Sequence, residues 1–300
     1  QALLLGSYPR AKAGRALAIW SITTLVAPVV GPLLGGWLTD NFSWPWIFYI
    51  NVPVGLLAAI VTFNLLRGRE STIVKTPIDK VGLFLLMLGV GCLQFMLDNG
   101  NDKDWFSSPM ILALGIVALV ALAFLIVWEL TDKHPIVDLS LFRHRNFSMG
   151  VLALSLGFFT FFGINVVYPL WLQTVMGYTA TWAGLAVAPG GILAFVFAPI
   201  IGRNMQRLNL RMVVSLAFVI LGFTSFWFAR FNTDTSFWQL FWPRLVQGAG
   251  IACFFIPITQ IVLSEMKPEQ MANASGLTNF CRTLSGSMST AAFVTLWQHR

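Results

Sequence analysis

Apolar residues run along this chain in stretches of about 20 or more, separated by short polar breaks. Nine stretches stand out, near 14–39, 44–66, 79–98, 109–130, 146–172, 181–202, 211–231, 237–263 and 272–297. A helix needs about 20 mostly apolar residues to cross a bilayer core, and each stretch meets that length. The breaks carry turn chemistry, as in Asp40-Asn41-Phe42-Ser43, Asp98-Asn99-Gly100-Asn101-Asp102 and Phe231-Asn232-Thr233-Asp234. Strands of outer-membrane barrels alternate apolar and polar over ~10 residues, whereas these runs are longer and unbroken. The pattern predicts an all-α polytopic membrane protein.

Composition agrees. Hydrophobic residues make up 57% and charged residues 10%; a soluble domain carries about 25% charged residues, so a water-soluble globular domain is excluded. Disorder is excluded too, because it needs low hydrophobicity. The net charge of +7 would point to nucleic acid in a soluble protein. Here the basic residues sit between apolar runs, so no nucleic-acid partner is expected and the charge sets topology. Cys92, Cys253 and Cys281 all lie in apolar stretches, with no metal-ligand spacing, and read as small hydrophobes.

Lys and Arg are retained on the cytoplasmic side. One set of alternate loops holds Arg10, Lys12, Arg15, Arg67, Arg69, Lys75, Lys80, Lys133, Arg143, Arg145, Arg203, Arg207, Arg211 and Lys267. The other holds only Lys103 and Arg230. The loops at 7–14, 67–79, 131–146, 203–211 and 264–272 therefore face the cytoplasm. Those at 40–44, 99–108, 173–180 and 231–237 face outside, where Trp44, Trp46, Trp105 and Trp238 suit an interfacial belt. The segment 131–146 is polar with a short apolar patch, and reads as a short amphipathic element on the inner surface or as a plain loop.

Gln1–Gly6 is apolar but too short to span, and reads as the tail of a helix that begins upstream. The last apolar run stops at Trp297-Gln298-His299-Arg300. No secretory signal is visible, and an internal fragment of a longer transporter is expected. An offset of 259 pairs Gln1 with Gln260, Leu4 with Leu263, Pro9 with Pro268, Ala13 with Ala272, Thr24 with Thr283 and Leu25 with Leu284. Both copies share one orientation, as parallel repeats in two-halved transporters do.

The first full stretch contains Ala27-Pro28-Val29-Val30-Gly31-Pro32-Leu33-Leu34-Gly35-Gly36. Gly31 and Gly35 form a small-xxx-small face suited to close helix approach. Pro28 and Pro32 remove backbone donors and bend a helix. A hinge or seal in a moving bundle and generic membrane-helix packing both fit. Ionisable groups at membrane depth are expensive and are functional candidates by default. Arg244, three residues before Gln247, lies near the outer end of its stretch. It fits a transport or coupling role, or snorkelling to the interface. Arg282 lies about eleven residues into its own and is the better candidate for a buried cation with a partner. No carboxylate sits deep in a complete stretch; Asp40, Asp98 and Glu129 are near helix ends.

Phe158, Phe162, Asn165, Pro169 and Leu172 share one helix face, with Tyr168 and Trp171 beside it. Such a wall suits bulky apolar or cationic compounds through contact area and cation–π attraction, or plain packing. Gln247 with Phe254 and Phe255 is a weaker set of the same kind. An integral membrane enzyme would need paired acids, a Ser/His set or a metal site; the histidines lie in or beside loops and no such motif occurs. A channel would want a filter loop or charge ring, and an ATP-driven pump a phosphate loop; neither is visible.

Gly31-Pro32-x-x-Gly35-Gly36 after small Ala27 resembles the antiporter motif of major facilitator superfamily drug exporters. Trp37 to Gly55, Leu66 to Glu70, Asp104 to Ser108, Trp128 to Asp132, Pro135 to Phe142 and Gly177 to Gly184 resemble the EmrB/QacA subfamily of fourteen-helix drug/proton antiporters, nearest its EmrB/FarB-like inner-membrane exporters. Arg244-x-x-Gln247-Gly248 resembles a second-half copy of the superfamily's helix 4 signature. The resemblance implies a major facilitator fold, two helix bundles related by pseudo-symmetry. Residues 1–66 would end the first bundle, 67–145 would be a linker region with two extra membrane helices, and 146–300 the second bundle. It places 146–172 against the central cavity and an acidic proton carrier on helix 1, upstream of this chain. It implies export of hydrophobic or amphiphilic drugs by proton exchange, with fatty acids or another metabolite as the alternative cargo. The proton gradient would be the energy source, with no cofactor and no metal. A periplasmic membrane-fusion adaptor and an outer-membrane channel are implied partners.

Overall fold

The computed structural model describes residues 30–67, 79–132, 135–267 and 270–298. Ala27, Pro28, the Gln1–Gly6 tail, the first copy of the repeat, the loop 7–14 and most of the loop 67–79 lie outside the described residues. Among the described residues there are helices and no strands. They are α1 (described over 30–41), α2 (Trp46–Tyr49), α3 (Asn51–Leu66), α4 (Lys80–Asn99), α5 (Pro109–Thr131), α6 (Arg145–Thr174), α7 (Ala180–Val187), α8 (Pro189–Asn204), α9 (Leu210–Phe228), α10 (Phe237–Leu263) and α11 (Met271–Gln298). Short 3₁₀ turns at Asn101–Lys103, Trp105–Ser107 and Leu139–Arg143 join some of them.

Local chemistry places the ends. Asp79 accepts a hydrogen bond from the Gly82 N–H at 2.8 Å and caps α4. The Ser236 N–H donates to Gln239 Oε1 at 2.8 Å at the start of α10. The stretch expected at 181–202 is two helices, because Pro189 has no N–H to continue the ladder and opens α8 instead. Among the described residues, seven helical segments are long and apolar enough to cross a membrane. The 28-residue α11 is not one of them, although a span was expected there. Its Ser and Thr residues lower its hydropathy, but their hydroxyls bond back to their own helix: Thr278 to Ala274 O at 2.6 Å, Ser285 to Cys281 O at 2.7 Å and Thr295 to Ala291 O at 2.7 Å. Hydroxyls satisfied in this way need no water.

Helix α10 is the centre of the bundle, packed on α6, α8 and α9, while α11 packs on α6 and α4, and α4 on α5. Helices α10 and α8 touch backbone to backbone. A Cβ at Gly248 would meet the Gly190 carbonyl carbon at 2.9 Å and Ala194 N at 3.2 Å, a contact open only to small residues. The outer surfaces of α3 and α5 are apolar and exposed, as bilayer-facing helices are.

The segment 135–146 departs from expectation. Its apolar patch is split: Phe142 is exposed, but Leu141 is fully buried, in a cluster with Phe147, Val151, Val262, Met266 and Ala274. The bundle offers it a better apolar partner than the interface does. Contacts between helix ends join segments that the charge count assigns to the same side. Asn146 Nδ2 donates to Glu265 and Arg211 to Asn146 at the cytoplasmic ends. Trp105 Nε1 donates to Thr295 Oγ1 at the outer ends, at 3.1 Å.

Candidate functional site

A cavity of about 440 Å³ lies between α4, α6, α8, α10 and α11. Helix α6 contributes Phe158, Phe161, Phe162 and Asn165, and α10 contributes Arg244 and Phe255. Phe158 stands edge-on to Phe255, with ring centroids 4.8 Å apart, and so does Phe161 at 5.4 Å. Their faces and edges build an aromatic wall of the kind that binds bulky apolar groups through contact area.

Arg244 is 2% exposed. It does not snorkel; its guanidinium turns inward. Nη1 donates to Gln247 Oε1 at 2.5 Å, Nη2 to Asn165 Oδ1 at 2.6 Å and Nε to Val187 O at 3.3 Å. The Tyr168 ring lies 5.4 Å from its Cζ. One side chain thus ties α6, α7 and α10 together with neutral acceptors, and a fork of fixed N–H groups suits that task. Arg282 is half-buried on the same cavity, with its Cζ 5.4 Å from the Phe158 ring. Its described partner is that ring. The described residues contain one ion pair within 4.0 Å, His144 with Glu265 at the cytoplasmic end, and it does not involve Arg282. An arginine over an aromatic face, with no acidic partner among the described residues, is available to a ligand's negative charge.

The structure brings Phe158, Phe162, Asn165, Phe255, Arg244 and Arg282 to one cavity. It sets Tyr168, Gln247 and Phe254 behind it. Tyr168 packs with Leu172, Ala183 and Leu240. It lies ten residues beyond Phe158, about 80° round the helix, and so faces α7 rather than the cavity. Phe254 is 1% exposed and packs on Phe218 and Phe158. Gln247 acts through Arg244. The reading along single helices missed Asp98, Phe161 and the polar lining of α11, which includes Thr283, Ser287 and Thr290. Phe161 had a signal, as one of four phenylalanines between 158 and 162: Phe158, Phe159, Phe161 and Phe162.

The Gly-Pro motif is a second site. The expected Gly31–Gly35 approach face is not what the structure uses. A Cβ at either position meets nothing within 4 Å among the described residues. The close approach runs through Gly36 and Gly184. A Cβ at Gly36 would strike Ala180 O and lie 3.1 Å from Thr181 Cα, and one at Gly184 would lie 2.5 Å from Pro32 O. Beside this crossing, Asp40 Oδ2 accepts from the Thr181 N–H at 2.7 Å. Helix α1 is thereby joined to α7 at this crossing. Hydrogen bonds from the Thr181 side chain and backbone hold the Asp40 carboxyl below the usual carboxylate range. A depressed folded-state value means that the contact is intact above the ordinary range and is lost as the pH falls through the lowered one. With labels on positions flanking 40 and 181, the spin-label distance is therefore expected to stay constant through the ordinary carboxylate range and to lengthen only below it. Asp40→Asn should remove that step.

The Major Facilitator Superfamily profile matches residues 1–290. The chain is 51% identical to the multidrug export protein EmrB of Escherichia coli K12, across 100% of this chain and 59% of that protein. It is 49% identical to the fatty acid resistance protein FarB of Neisseria gonorrhoeae, again over 100% of the chain and 59% of the relative. The colistin resistance protein EmrB of Acinetobacter baumannii is 26% identical over 95% of the chain. The chain thus spans about 59% of the length of the first two relatives. On the profile match and these identities, the chain is a multi-pass inner-membrane protein that belongs to the major facilitator superfamily.

Proposed function

We propose that this chain is part of a secondary active exporter of hydrophobic and amphiphilic compounds, working by alternating access in exchange for protons. The observation that carries the reading is the cavity itself: a phenylalanine wall with a guanidinium, Arg282, that has an aromatic ring as its described partner. Secondary transporters bind cargo between their two repeats near the membrane midplane, and Arg282 sits near the middle of its helix. The relatives named for multidrug export and for fatty acid resistance support the same class of cargo. The family resemblance adds a periplasmic adaptor and an outer-membrane channel as partners, and the proton gradient as the energy source without a cofactor.

A fatty acid or other carboxylate amphiphile is the favoured variant on one observation: among the described residues, two arginines and a single carboxylate line the cavity. The test is efflux from cells expressing the protein in full, with and without a protonophore. Efflux of hydrophobic dyes and labelled oleate is expected to collapse when the gradient is dissipated. Arg282→Ala should reduce oleate efflux at least tenfold relative to a neutral dye. Gradient-independent efflux, or none with the protein present in the membrane, would overturn the reading.

A further inference from the structure

Among the described residues that line the cavity, Asp98 is the one carboxylate. It comes from α4, the first of the two helices inserted between the bundles. Its position is built. Gln94 Nε2, one turn earlier, donates to both of its carboxylate oxygens, at 2.8 and 3.0 Å. Just beyond it the connection is fastened to α11: Trp105 Nε1 donates to Thr295 Oγ1 at 3.1 Å, and Asn101 bonds to Gln298. Helix α11 carries Arg282, so the inserted pair and that arginine share one frame. Asp98 and Arg282 line the same space yet form no ion pair within 4.0 Å; the ion pair among the described residues is elsewhere.

A carboxylate and a guanidinium that share a cavity without pairing leave each charge open to a ligand. The aromatic wall between them accepts the apolar body of an amphiphile of either sign. We infer that Asp98 makes the cavity bipolar, binding the positively charged head of cationic amphiphiles at the α4 side while the arginines serve anionic ones. The inserted helix pair is then a wall of the site and sets which charge is accepted. The inference rests on the reading of this cavity as the cargo site.

Equilibrium binding to the purified full protein tests it apart from transport. The probes are tetraphenylphosphonium, a cation, and oleate, an anion. Asp98→Asn is expected to weaken tetraphenylphosphonium binding at least tenfold relative to oleate, and Asp98→Glu to restore most of the difference. A structural fault would change both affinities together, and that result overturns the assignment, as does a wild-type protein that does not bind the cation. Trp105→Phe, which removes the indole donor to Thr295 together with part of the ring, checks the frame: it should weaken cation binding less than Asp98→Asn does. Cation binding without efflux would leave Asp98 in place and count against the exporter reading instead.

Discussion

Replacing Arg244 by lysine is expected to disable the protein even though the charge is kept. The guanidinium reaches three acceptors at once, on Gln247, Asn165 and the Val187 carbonyl. An ammonium on a flexible stem cannot span them together. Each buried acceptor left unpaired costs about 1–3 kcal/mol, and the charge itself stays buried among neutral groups with fewer bonds to hold it. Arg244→Lys should therefore lower the melting temperature of the purified protein and cut export at least tenfold. Asn165 offers an internal check. Asn165→Ala removes one acceptor, so its effect on stability should be far from additive with that of Arg244→Lys; contacting groups couple by about 0.5–3 kcal/mol. Additive losses would mean that the two side chains do not act through one another. Full activity in Arg244→Lys would mean that the position needs only a positive charge.

Much of this architecture is legible in the sequence because membrane helices announce themselves by length and hydropathy. The ends of α5 and α10 fall within a residue or so of the apolar limits at 109–130 and 237–263. The aromatic wall is legible for a related reason: Phe158, Phe162 and Asn165 recur at helical spacing, and the structure keeps them on one cavity. What periodicity cannot supply is the neighbour. Asp98 is at the end of its own helix, where a carboxylate reads as solvated, and only the docking of α4 on α11 turns that end into a cavity wall. Arg244 likewise lies near a helix end in sequence, and only the acceptors on α6 and α7 decide that it points inward. Leu141 looks like a surface anchor until the cluster around Phe147 and Val262 is in place. The break before Pro189 had a local signal, a proline followed by two glycines, which the surrounding apolar run concealed.

The same dependence on a partner separates two adjacent glycines of the antiporter-like motif. Spacing alone makes Gly35 as good a contact residue as Gly36. In the structure a Cβ at Gly35 has open space among the described residues, whereas one at Gly36 would collide with the backbone of α7. Gly35→Ala should therefore be tolerated, with helix propensity improved by up to about 1 kcal/mol. Gly36→Ala must push α1 away from Ala180 and Thr181, because backbone atoms cannot turn aside as a flexible side chain can. Overpacking of that kind costs about 1–3 kcal/mol, and here the strain falls on the α1–α7 crossing, between segments that the family resemblance assigns to the first and second bundles. An alternating-access cycle must open and re-form such a contact. Gly36→Ala is thus expected to shift the protein toward an outward-open state and to reduce export about tenfold or more. The shift should appear as greater labelling of a cysteine placed at 181 by a membrane-impermeant reagent. Gly184→Ala, on the opposite helix, should reproduce it, since a Cβ there meets Pro32 O at 2.5 Å. Equal behaviour of Gly35→Ala and Gly36→Ala would show that the motif acts through local helix flexibility; unequal behaviour would show that it acts through contact, with the seal formed where two backbones touch.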